Sequence, residues 1–159
     1  NLTAIENKIK EMQLTSTGFS DGGEIPLELG YKKQNEPPAL SINGIPEGTK
    51  SLALIMDDPD AMGAVGKVWV HWVVWNIDPT KPFITGNPRE SGFVEGVTDF
   101  GEVRYGGPAP PDKRHTYVFK LYALDSKLDL PEGSTKSELE NAMEGHILEQ
   151  ATLTGTYAP

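Results

Sequence analysis

The chain has 159 residues, a formal net charge of −9, a sequence pI near 4.8 and no cysteine. Disulfides, thiol catalysis and thiolate metal sites are thereby excluded, and no cluster of Lys and Arg with interleaved aromatics offers a nucleic-acid surface. No run of about 18 apolar residues is present, so no transmembrane segment is expected.

The 17 glycines and 13 prolines are spread along the chain, a pattern that suits short strands and tight turns. The expectation is a mainly β protein forming one domain over residues 1–159. A cytoplasmic location is expected. Export stays open, because the chain opens at Asn1 with neither an initiator Met nor a signal pattern.

Along the chain, Ile5, Ile9 and Met12 predict a short helix over Ala4–Met12. Asp21-Gly22-Gly23 predicts a turn before a strand at Ile25–Leu29. Pro37-Pro38 precedes a short or edge strand at Ala39–Ile42. The apolar run Ser51–Met56 reads as a buried strand that ends in the acidic turn Asp57-Asp58-Pro59-Asp60.

Val68–Ile77 is the next strand. Strict alternation places Val68, Val70, Trp72 and Val74 on one face, with Trp69, His71, Val73 and Trp75 on the other. Both faces are apolar, so the strand is expected to be covered on both sides. Thr80–Arg104 reads as a long irregular connection, followed by the stiff Tyr105-Gly106-Gly107-Pro108-Ala109-Pro110-Pro111 segment.

A strong strand at Thr116–Leu124 aligns His115, Tyr117, Phe119 and Leu121. Thr135 and Glu138 have capping-box spacing and start a helix whose apolar stripe runs through Leu139, Ala142, Met143, Ile147 and Ala151. Thr152–Tyr157 forms a final strand.

Asp58, Asp60, His71, His115 and Tyr117 are the side chains with chemistry to offer. A buried His71 needs a hydrogen-bond partner, and Asp58, at the end of a neighbouring strand, is the expected one; such a pair favours imidazolium. Two histidines, a phenol and backbone N–H groups near Gly106-Gly107 would make a donor-rich cavity for phosphate or carboxylate. The competing readings are a core histidine satisfied by backbone carbonyls, a core Tyr117 and a His115 that merely ends a loop. Asp58, His71 and His115 also have the composition of a metal site or of acid–base groups. No nucleophile elbow, phosphate loop or His-Glu-x-x-His pair accompanies them, and the chain is read as non-enzymatic and without a cofactor.

Several of these pieces occur together in a familiar order: Asp58-Pro59-Asp60-Ala61, Trp69-Val70-His71-Trp72, Asp99-Phe100-Gly101, Tyr105-Gly106-Gly107-Pro108, Pro110-Pro111 and His115-Thr116-Tyr117. From about Leu14 to Tyr157 the chain resembles the phosphatidylethanolamine-binding protein family, which includes the Raf kinase inhibitor proteins, and is most similar to its bacterial and archaeal branch. The resemblance implies two antiparallel sheets with a few peripheral helices, one near the C-terminus. It also implies a small anion pocket, with Asp58, His71, Gly107, Pro111, His115 and Tyr117 as ligand-binding residues. Implied ligands are phosphate or a phosphorylethanolamine-like headgroup. Implied partners of some relatives are serine or cysteine proteases and signalling kinases. Thr116 replaces the family's usual Arg, Lys113 a common Gly and Met62 a usual Pro, so the rim departs from the family pattern.

Overall fold

The computed structural model describes residues 11–85 and 92–159. The helix expected at Ala4–Met12 lies almost wholly outside the described residues. Within them, nine strands form two sheets. The smaller has the order β1-β3-β6, with β1 at Gln13–Ser16, β3 at Leu40–Asn43 and β6 at Phe83–Ile84. The larger has the order β2-β9-β8-β4-β5-β7, built from β2 (Gly23–Glu24), β4 (Ser51–Asp58), β5 (Trp69–Ile77), β7 (Val94–Glu95), β8 (His115–Leu124) and β9 (Ile147–Tyr157). All pairings are antiparallel except the two-residue contact of β2 with β9.

β4 lies between β5 and β8, and every one of its residues is buried. One face of the large sheet packs Leu52, Leu54 and Met56 with Trp72, Tyr117 and Phe119 into the main core, shared with Leu14, Leu40, Ile42 and Ile84 of the small sheet. The other face packs Ala53, Ile55, Val73 and Trp75 against Leu139 and Met143 of helix α2 (Lys136–Met143). A sheet covered on both faces explains why β4 reads as a continuous apolar run rather than an alternation.

Two expectations change, one alternative is decided and one element is new. Ile25–Leu29 is not a strand: β2 ends at Glu24, and Leu27–Leu29 is a 3-10 turn following Pro26. Of the two readings of β3, short or edge, the first holds: the strand has four residues and is central in its sheet. The capping box of Thr135 and Glu138 forms, yet α2 stops at Met143, ahead of Gly145 at φ 83°, and Ile147 and Ala151 belong to β9. The stripe beyond Met143 is therefore strand, its periodicity mimicking a helix across a turn. A short helix α1 (Ala61–Val65), with no counterpart in the sequence reading, follows the acidic turn.

Within the long connection, β6 and β7 are the regular pieces, and residues 86–91 lie outside the described set. No peptide bond among the described residues is cis, Asp58-Pro59 and Asp78-Pro79 included. No helix among them is long and apolar enough to cross a membrane.

The feature that positions the site is a bulge in β5. Pairing steps from Met56↔Trp72 to Asp57↔Val70, so His71 is the extra residue. A bulge moves every side chain beyond it to the opposite face. Strict alternation would put Trp69 and His71 with Val73 and Trp75. The bulge turns them instead toward the face that carries Tyr117.

Candidate ligand pocket

Trp69, His71, Tyr117, His115, Asp58 and Pro111 line a cavity of about 140 Å³, together with Ala61, Ala64 and Val65 of α1, Phe100 and Ala109. Strand alternation in β8 brings His115 and Tyr117 to the same face, and Asp58 reaches it from the end of β4. The neighbouring carboxylate, Asp57, goes to the opposite face, where its Oδ2 accepts from Lys136 Nζ at 2.7 Å and Lys120 Nζ at 3.3 Å.

The expected Asp58–His71 pair is not formed. Asp58 Oδ2 lies 2.6 Å from His115 Nδ1, while Asp58 Oδ1 accepts from the Asp60 amide at 2.9 Å. His115 Nε2 lies 2.7 Å from Asp112 Oδ1, so both ring nitrogens of this buried imidazole face carboxylates. A neutral imidazole has one N–H and can satisfy only one of them. Burial alone would lower the His115 pKa, but the hydrogen bonds and charges of Asp58 and Asp112 outweigh it and hold the ring above its ordinary value. The two carboxylates favour the protonated ring, and both of its donors are then used within the protein.

His71 is the opposite case. Its Nδ1 donates to the Gly106 carbonyl oxygen at 2.6 Å, and Nε2 has no partner among the described residues. Burial pushes its pKa down, against smaller opposing contributions from the Gly106 carbonyl and Asp58. The ring is neutral, with the Nε2 lone pair free. Its edge meets Tyr117 at 5.1 Å and Phe100 at 5.4 Å between ring centroids.

The glycine segment does not supply donors either. Gly106 N donates to His71 O at 2.8 Å, and Gly107 N to Asn35 Oδ1 at 2.7 Å. Gly107 does not line the cavity. A Cβ there would lie 2.1 Å from Leu29 O, so the residue is glycine because two backbones meet. It positions the wall that Pro111 and Ala109 present.

Two donors are left over. Trp69 Nε1 and Tyr117 OH are buried atoms with no hydrogen-bond partner among the described residues. The Asp58 charge and the Ala109 backbone act on the Tyr117 hydroxyl without completing a well-formed hydrogen bond. Burial first, then the Asp58 charge, raises its pKa, keeping the phenol protonated as a donor. The other two indoles are satisfied, Trp72 by Glu95 Oε2 at 2.7 Å and Trp75 by Leu130 O at 3.2 Å.

Trp69 and Phe100 were not among the expected site residues, although both stand in the motifs that carry the resemblance. The signal for Trp69 was its spacing from His71, two residues along one strand. Phe100 is delivered by Asp99, whose amide donates to Val70 O at 3.0 Å and whose Oδ2 accepts from Val70 N at 2.7 Å. Phe100 then stacks on Tyr31 at 4.0 Å. Asp58, His71 and His115 do not converge as metal ligands; no group of three or more His, Asp or Glu with suitable geometry occurs among the described residues.

A family model described as phosphatidylethanolamine-binding protein matches residues 15–158. A UPF0098 protein of Methanothermobacter thermautotrophicus is 44% identical over 92% of this chain and 98% of its own length. One of Chlamydia muridarum is 45% identical with the same coverage. Among solved structures, a putative phosphatidylethanolamine-binding protein homolog from Chlamydia trachomatis superposes with a TM-score of 0.86 at 40% identity, covering 93% of this chain and 97% of that one. YbcL of E. coli gives 0.84 at 32% identity over 92% and 98%. The carboxypeptidase Y inhibitor, solved with its cognate proteinase, gives 0.55 at 18% identity, a likeness of fold alone, over 98% and 90%.

Proposed function

The chain belongs to the phosphatidylethanolamine-binding protein family, and from that premise we propose that its His71 pocket holds a small oxyanion and that the protein acts by binding rather than by turnover. The observation that carries this reading is the pair of buried, unpartnered donors, Trp69 Nε1 and Tyr117 OH, on one cavity. A buried polar group without a partner costs about 1–3 kcal/mol. An oxygen of a ligand that accepts from either donor removes that cost.

Charge refines the choice. His115 is consumed by Asp58 and Asp112, so among the described residues no free cation lines the pocket to face a dianion. His71 supplies one by taking up a proton at Nε2 as the anion enters, which links binding to acid. Asp112, beside Pro111 and 42% exposed, favours a ligand that carries an ammonium group as well. Phosphorylethanolamine combines both features, and phosphate lacks the second.

The test is calorimetric titration of the protein with phosphorylethanolamine and with phosphate, alongside His71→Ala. The expected result is saturable binding that the variant loses. No site-dependent signal at millimolar ligand would remove the anion reading.

A further inference from the structure

A larger cleft, of about 480 Å³, lies on the other side of the proline wall and shares Ala109 and Pro111 with the His71 pocket. Its volume is that of a site for a complete small ligand. Leu27, Pro108, Pro110 and Pro111 form its apolar part, and Lys32 and Lys33 border it. The wall is braced: Tyr31 N donates to Pro108 O at 3.0 Å, and the Tyr157 hydroxyl donates to Leu27 O at 2.7 Å. Leu27 nevertheless leaves 61% of its surface exposed, on a turn rigidly held from both sides.

Neither Lys32 nor Lys33 has an ion-pair partner among the described residues, in a chain of net charge −9. Lys67, Arg114, Lys120 and Lys136 are each paired with a carboxylate, whereas Lys50, Lys81, Lys113 and Lys127 share the unpaired state of Lys32 and Lys33. What sets Lys32 and Lys33 apart is that both border one apolar cleft. Glu28 sits on the adjacent turn but does not line the cleft. Two unpaired ammonium groups beside an apolar trough call for an occupant with one anionic end and an apolar body.

The wall decides between a peptide and an alkyl chain. Pro108, Pro110 and Pro111 have no backbone N–H, so the trough offers few donors to a peptide's carbonyl groups. A peptide buried there would leave its own polar groups unmatched, whereas an alkyl chain requires no partners. We propose that this cleft is a second binding site, taking a linear anionic amphiphile such as a medium-chain alkyl carboxylate, with its tail against Leu27 and the prolines and its charge at Lys32 and Lys33. It stands independently of the His71 pocket and of that pocket's ligand.

NMR titration of the whole protein with octanoate, decanoate and 1-octanol tests it. Saturable shifts are expected at Leu27 and Tyr157, and decanoate should bind about tenfold tighter than octanoate, since each buried methylene is worth roughly threefold to fourfold. Octanoate should bind about twofold to fivefold tighter than octanol, from the modest strength of exposed charge pairs. The double variant Lys32→Gln, Lys33→Gln, at exposed positions that leave the core untouched, should erase that difference. His71→Ala should leave octanoate binding unchanged. Equal affinity for octanol and octanoate would overturn the proposal. So would shifts centred on Trp69, or tighter binding of a short acidic peptide at the same residues.

Discussion

Asp58 Oδ2 meets His115 Nδ1 at 2.6 Å, and Asp112 Oδ1 meets the other nitrogen of the same ring at 2.7 Å. The histidine closest to the acidic turn is thus locked by two carboxylates, while His71, across the pocket, is left neutral. Two histidines on one cavity are driven in opposite directions by what touches them.

That contrast sets the pH dependence. His115 has a folded-state pKa above its ordinary 6.5, so its contribution to stability is complete below that value and is lost as pH rises through the folded pKa. His71 has a folded-state pKa below 6.5, so its contribution is complete above that value and is lost as pH falls through the folded pKa. Together the two histidines favour a stability maximum near 6.5. Imidazole NMR titration should show His115 titrating above 6.5 and His71 below it; the reverse order would contradict the assignment of charge.

Tyr117→Phe separates folding from binding. The hydroxyl has no partner among the described residues, so its removal should leave stability unchanged or raise it by about 1 kcal/mol. Phosphorylethanolamine affinity should fall by about fivefold to tenfold, the value of one ligand hydrogen bond. Chemical denaturation and calorimetry on the same variant measure both quantities.

Gly107→Ala should destabilise the fold by about 2–4 kcal/mol, because a Cβ meets backbone atoms that have nowhere to move. Gly63→Ala, inside α1 with nothing among the described residues within 4 Å of a Cβ, should stabilise by about 0.5–1 kcal/mol. Urea midpoints for the pair test whether the wall is held by close backbone packing.

Asp57, 2% exposed, depends on two lysines. Replacing both Lys120 and Lys136 by Met strands a buried carboxylate and should cost about 3–5 kcal/mol. The Lys136→Met change alone should cost less, since Lys120 remains at 3.3 Å. Thermal melts at neutral pH distinguish these outcomes.

The strands around the site were legible because their side-chain patterns are local. Ser51–Met56 and Thr116–Leu124 reveal themselves by apolar runs, and Thr135 with Glu138 by a capping box. The pairing of Asp58 was not legible. Its partner, His115, is 57 residues away on β8, and the placing of His71 rests on a bulge in β5, a two-strand property absent from the period of one strand. The supposed donors at Gly106 and Gly107 failed for a similar reason, since their partners, His71 O and Asn35 Oδ1, are 35 and 72 residues away. Trp69 Nε1 becomes conspicuous only when the other two indoles are seen to be satisfied.

The three tryptophans provide the most direct measurement. In a nitrogen-15 correlation spectrum, each indole N–H gives its own resonance, and Trp72 and Trp75 are already hydrogen-bonded within the protein. Titration with phosphorylethanolamine should move the Trp69 indole resonance downfield and saturably, leave the other two nearly fixed, and strengthen as pH falls toward the His71 pKa. A Trp69 resonance that stays still while ligand binds elsewhere, or does not bind, would contradict the account.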